Sequence, residues 1–132
     1  MSTPKKLLLL FVIIGIVDSA YLTAVHYTNL SLYCPEGGVV NCTQVVTSVY
    51  STVAGIPIAI GGLVWFIALG ILVFWLPKLK AVRNIWIIFG LVAVAYSIIG
   101  QALLGEICEY CVLLDIMILL SVYLLLRERN RL

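Results

Sequence analysis

The stretch that decides the fold is GEICEYCVLLDIMILLSVYLLL, residues Gly105–Leu126, followed by Arg127, Arg129 and Arg131. From Cys111 onward it is apolar over nearly the length of a membrane-crossing helix, roughly 20 residues. It opens on a C-x-x-C pair, Cys108 and Cys111, and carries one carboxyl, Asp115, inside the apolar run. Three other stretches share this character: Leu7–Tyr27, Pro57–Leu76 and Asn84–Leu104. The expectation is an all-α integral membrane protein, a bundle of four transmembrane helices forming a single membrane domain over residues 1–132. Hydrophobic residues at 64% and charged residues at 11% agree, since soluble domains carry about a quarter charged residues. Lys5 and Lys6 before an apolar run could open a cleavable signal peptide. The apolar character continues to Val25, so a retained first span is expected.

The eight basic residues fall in three places: Lys5 and Lys6; Lys78, Lys80 and Arg83; Arg127, Arg129 and Arg131. In a four-span chain these share one side, which the positive-inside rule makes the cytoplasm. Both termini are then cytoplasmic in a multi-pass cell-membrane protein. The outer side receives 29–56 and the short connection near Gly105–Tyr110, which lack Lys and Arg and contain or adjoin all four cysteines. That face is normally the oxidising one. Basic residues that only flank spans do not form a nucleic-acid surface. No phosphate-binding Gly-rich loop and no H-E-x-x-H motif occurs. The Gly61-Gly62 pair and Gly70 read as close-packing positions of the second span.

In the outer loop, Cys34-Pro35-Glu36-Gly37-Gly38 reads as a turn. Asn41-Cys42-Thr43-Gln44 resembles a capped helix start. Val45, Val46, Val49 and Tyr50 follow at helical spacing, so a short amphipathic helix is expected, ended by Gly55 and Pro57. Cys42 would stand in its first turn, where backbone N–H groups favour nucleophilic sulfur.

Four cysteines allow three pairings. They could form structural staples in a non-enzymatic scaffold, or supply thiolates to a metal. A redox reading accounts for more: C-x-x-C pairs serve thiol–disulfide exchange, and a second pair on a loop can carry electrons to the embedded one. The polar residues of the spans add to this. Asp18, Tyr21, Thr23 and His26 in the first span, Ser97 and Gln101 in the third and Asp115 in the fourth all lie in the outer halves. An intramembrane carboxyl marks a functional site by default. At about 100° per residue, Asp115 lies within roughly 20° of Cys108 and 40° of Cys111 on the helix surface. A dithiol above a carboxyl within lipid suits a quinone, which takes two electrons and two protons, with Asp18 or Asp115 relaying protons. Interhelical hydrogen bonding is the plainer role for both acids, and interfacial anchoring for His26.

These features together resemble the vitamin K epoxide reductase (VKOR) family, including its bacterial and archaeal members. The resemblance rests on the four spans, Cys34 and Cys42 with seven residues between them, Ser48 shortly after, Gly55-Ile56-Pro57 leading into the second span, and Cys108-Glu109-Tyr110-Cys111 opening the fourth. It implies that Cys34 exchanges with a thioredoxin-like partner, that Cys42 attacks Cys108, that Cys111 lies next to the quinone (ubiquinone, menaquinone or similar), and that Ser48 helps hold the loop helix. Asp115, Asp18, Tyr21 and Gln101 join Cys111 as candidate quinone-binding residues. With Leu132 as the last residue, the expected partner is a separate protein of the DsbA type. Vertebrate relatives have a tyrosine where Asp115 stands and an asparagine near Pro57. These departures favour plain quinone reduction over epoxide reduction. The DsbB family, similar in span and cysteine number, has its C-x-x-C in the first outer loop, the reverse of the order here.

Overall fold

The structure is a computed structural model, and it describes residues 3–28, 52–53, 56–76, 78–105 and 109–128. Four helices make up nearly all of it: α1 Thr3–Thr28, α2 Ile58–Phe74, α3 Lys80–Leu104 and α4 Glu109–Arg127. A minimal antiparallel pairing of β1 Thr52–Val53 with β2 Ile56–Pro57 precedes α2. The amphipathic helix expected around Val45–Tyr50 lies outside the described residues.

α1, α3 and α4 are long and apolar enough to cross a membrane. α2, with 17 residues, spans about 26 Å at the usual helical rise and is continued by exposed apolar Trp75 and Leu76. The chain is a multi-pass, helical membrane protein. The helices also outrun the apolar windows: α1 begins at Thr3 and α3 at Lys80, because backbone hydrogen bonding continues past the hydrocarbon boundary.

Local chemistry sets the helix ends. Pro4 sits in the first turn of α1, where a missing N–H costs nothing. Beyond α2, the backbone N–H groups of Trp75 and Leu76 both return to the Ile71 carbonyl, at 2.9 and 3.0 Å, and Pro77 follows with no N–H of its own. α3 stops at Gly105, whose φ of 69° lies in the left-handed region that glycine enters without a Cβ penalty.

The helices form a ring in chain order. α1 packs most extensively on α2 and α4; α4 packs on α3, and α3 closes the ring against α2. The centre is filled by Leu8 and Val12 of α1, Phe66, Leu69 and Val73 of α2, and Ile118, Val122 and Leu125 of α4. Lipid tails are as apolar as these side chains, so close packing rather than water exclusion holds such helices together. Glycines permit it at specific points. A Cβ on Gly15 would collide with the Phe66 ring, and one on Gly90 would lie 2.5 Å from Trp65 Cζ2. Gly62 faces Ser19 and Leu114, and Gly70 faces Val12, as expected of packing positions. Gly61 differs from expectation: it is exposed, with open space where its Cβ would stand.

Trp65 and Trp86 join α2 to α3. Each indole N–H donates to the other residue's backbone carbonyl, at 2.8 and 2.9 Å. Because α-helical carbonyls already accept an intrahelical bond, these indoles use the second lone pair. Of the basic residues between α2 and α3, Arg83 has a buried side chain, while Lys78 and Lys80 are exposed.

Candidate functional site

The polar residues gather at the end of the bundle that carries Cys111. α4 brings Tyr110, Cys111 and Asp115 to this level; α1 brings Asp18 and Tyr21; α3 brings Ser97 and Gln101. Asp115 follows Cys111 at the i+4 position, so they stack on one face of α4, about 6 Å apart along the axis.

Asp115 is buried, and its Oδ2 accepts a 2.8 Å hydrogen bond from Ser97 Oγ across the α3–α4 contact. One turn further along α3, Gln101 Nε2 donates to Ser97 Oγ at 3.3 Å and reaches the Ser97 carbonyl at 3.4 Å. These longer contacts steady the serine, whose hydroxyl hydrogen is committed to the carboxyl. The chain Gln101–Ser97–Asp115 therefore holds one oxygen of Asp115 in a fixed place.

Asp18 stands on α1 next to Ser19, which with Leu114, the residue before Asp115, borders Gly62 of α2. It is 6% exposed, Asp115 7%, and Asp18 Oδ2 has no hydrogen-bond partner. The Ser19 hydroxyl beside it is also buried without one. Thr23, part of the same polar series, donates to the Ser19 carbonyl at 2.8 Å, so its hydroxyl serves its own helix. Tyr21 meets Tyr110 with ring centroids 5.3 Å apart and planes tilted by 49°. This aromatic pair bridges α1 and α4 beside the half-buried Cys111.

Of the residues singled out from the sequence, Cys111, Asp115, Asp18, Tyr21 and Gln101 converge here. Cys34, Cys42, Ser48 and Cys108 lie outside the described residues, as does the His26 side chain. Two contributors were not picked out as site residues by sequence reasoning. Ser97 entered only as one of the polar residues in the outer halves of the spans, and Tyr110 only as one of two residues between the C-x-x-C cysteines.

The donor set fits a quinone. A thiol, two carboxyls and two phenol rings meet within apolar helices, and the orphaned oxygen of Asp18 can exchange a proton with a carbonyl or hydroxyl oxygen. A family model described as the vitamin K epoxide reductase family matches residues 6–126. No curated protein and no solved structure gave a match.

Proposed function

The chain belongs to the vitamin K epoxide reductase family, and from that premise we propose that it is a quinone-linked oxidoreductase that generates disulfide bonds. The family is one of oxidoreductases, whose members generally use a quinone acceptor and work with thioredoxin-like partners. The observation that carries the reading is the position of Cys111, one helical turn from a carboxyl that Ser97 holds in place.

In this reading the whole of residues 1–132 forms one membrane domain, with the cysteines on the outer face and both termini in the cytoplasm. A thiolate of a reduced, thioredoxin-like partner of the DsbA type attacks the Cys34–Cys42 disulfide at Cys34. The partner's second thiol then resolves the mixed disulfide, leaving the partner oxidised and Cys34 and Cys42 reduced. Cys42 next attacks Cys108, breaking the Cys108–Cys111 bond and releasing Cys111 as thiolate. Cys34 displaces Cys108, which restores the loop disulfide. Ser48 helps hold the loop over the bundle. Two electrons and two protons have now moved to Cys108 and Cys111. A quinone supplies the sink for both. Cys111, Asp115, Asp18, Tyr21 and Gln101 would hold it, the tyrosine ring giving an apolar wall and the carboxyls and amide polar contacts. Direction follows reduction potential, about 1.4 kcal/mol for each 30 mV in a two-electron exchange.

The test is quinone absorbance, followed after mixing detergent-purified protein with quinone and a reduced thioredoxin-like dithiol protein. Quinone reduction that disappears in Cys108→Ala and Cys111→Ala is expected. A wild-type rate in Cys111→Ala would overturn this electron path. No reduction with several quinones and partners would favour the alternative of a disulfide-stapled scaffold or a metal-binding membrane protein. Thiol counting and metal analysis then separate those two.

A further inference from the structure

We propose that Tyr21 and Tyr110 are positioning residues for Cys111: the contact between their rings holds the first turn of α4 against α1 and so fixes where the Cys111 sulfur stands. This deepens the quinone reading and rests on it for the reaction that the sulfur serves. The clasp itself follows from the contact of the two rings.

α4 begins at Glu109, so Tyr110 and Cys111 are its second and third residues. The opening turn of a helix is its least secure part, because its first N–H groups have no partner within the helix. Terminal turns fray unless packing pins them. Here the pin comes from another helix. The Tyr110 ring lies 5.3 Å from that of Tyr21, centroid to centroid, with the planes tilted by 49°, a separation and inclination at which aromatic rings attract one another. Both rings are half-buried, and Tyr21 is followed on α1 by buried Leu22. α1 packs on α4 more extensively than α3 does. The anchor therefore stands on the firmest helix contact that α4 makes among the described residues.

The pin acts on Cys111 through the backbone. Consecutive Cα atoms are about 3.8 Å apart, so a movement that carried the Tyr110 ring away from α1 would carry Cys111 with it. Successive helical side chains point about 100° apart. Tyr110 can thus lean on α1 while Cys111 keeps the direction it shares with Asp115, whose carboxyl Ser97 holds from α3. One cross-helix contact fixes the turn with the sulfur, and another fixes the carboxyl one turn further in. Reaction at the sulfur depends on that placing, since a displacement of about 1 Å can cost about a hundredfold in rate.

The clasp also bears on the thiol–disulfide equilibrium. A Cys108–Cys111 disulfide restrains the chain between its two ends by itself, with or without the ring contact. In the dithiol that restraint is gone, and the rings take a larger share in holding the turn. Losing the contact frees the dithiol more than the disulfide, so it moves the equilibrium toward the dithiol.

The first measurement needs no quinone. The full chain in lipid nanodiscs is equilibrated with graded ratios of reduced and oxidised dithiothreitol, and peptide mapping after alkylation reads the fraction of Cys108–Cys111 disulfide. Tyr21→Leu and Tyr110→Leu should each shift the equilibrium toward the dithiol, roughly two- to tenfold, the strength of one aromatic pair. The double variant should shift it no further than either single one, because each change alone ends the contact. Tyr21→Phe and Tyr110→Phe keep the rings and should hold the wild-type equilibrium. An unchanged equilibrium in the leucine variants, shifts that add in the double variant, or phenylalanine variants that shift as far as the leucine ones would each overturn the clasp. Far-ultraviolet circular dichroism shows which variants have folded, and should one leucine variant fail to fold, the other still decides.

The second measurement is quinone turnover by Tyr110→Leu. A positioning role predicts that kcat falls, by up to about a hundredfold, while KM for the quinone stays near the wild-type value. A raised KM with unchanged kcat would make Tyr110 a wall of the quinone site and overturn its positioning role. If the wild type reduces no quinone at all, the quinone reading fails while the dithiothreitol equilibrium still decides the clasp.

Discussion

Trp65 and Trp86 hold each other reciprocally, each indole N–H donating to the other's backbone carbonyl, at 2.8 and 2.9 Å. This double bond of contacts ties α2 to α3, the least extensive of the four neighbouring helix contacts around the ring. Trp65 stands near the middle of α2 and Trp86 in the second turn of α3.

Trp65→Phe keeps an aromatic ring and removes one donor, so the unfolding free energy in detergent should fall by about 1 kcal/mol. Trp86→Phe should cost a similar amount. Unchanged stability in both would show that the clasp only records how the helices meet.

Gly90→Ala tests the same contact from the other side. Its new methyl would fall 2.5 Å from Trp65 Cζ2, forcing the indole away from the Trp86 carbonyl. Overpacking of this kind costs about 1–3 kcal/mol. Near-ultraviolet circular dichroism should report the displaced tryptophan, and an unaltered spectrum with wild-type stability would refute the close approach.

Gly15→Ala places a methyl into the Phe66 ring at the α1–α2 contact. Destabilisation of about 1–3 kcal/mol is expected, and Phe66→Leu should be less harmful in the Gly15→Ala background than in the wild type. A double-mutant cycle measures this; additive effects would mean that the two residues do not meet.

Ser97→Ala leaves Asp115 Oδ2 without its donor and should lower stability by about 1–3 kcal/mol. Gln101→Leu should cost less, because its bonds to Ser97 are long at 3.3 and 3.4 Å. Thermal unfolding in detergent ranks the two. The reverse order would place the main support of Asp115 elsewhere.

Membrane orientation has its own test. With Cys42 on the outer face, a membrane-impermeant maleimide should label it in intact cells after mild reduction, and a cysteine introduced at Lys78 should react only after the cells are opened. The opposite pattern would invert the topology.

Membrane residence and the polar residues of the spans were legible in the sequence, because both depend on residue type and local period. Apolar runs near spanning length can bury their backbone only as helices, and an intramembrane Asp stands out against them. Asp115 and Cys111 share a face by helical period alone. What period cannot give is which helices become neighbours. That Asp115 meets Ser97, that Tyr21 meets Tyr110, and that Asp18 is left with an orphaned oxygen depend on the order of helices around the ring and on their rotation.

The glycines show the same division. Gly61 and Gly62 are adjacent in sequence and equally suited to close packing, yet one faces open space and the other Ser19 and Leu114. Sequence by itself determined that this chain is a set of apolar helices with a dithiol and two carboxyls toward one end, since helical period and transfer energy act on each segment alone. Only the tertiary structure decided that both carboxyls are buried, and that Ser97 donates to Asp115 while Asp18 Oδ2 has no hydrogen-bond partner. Such pairings arise from contacts between helices, where the side chains of one surface select the rotation of the next.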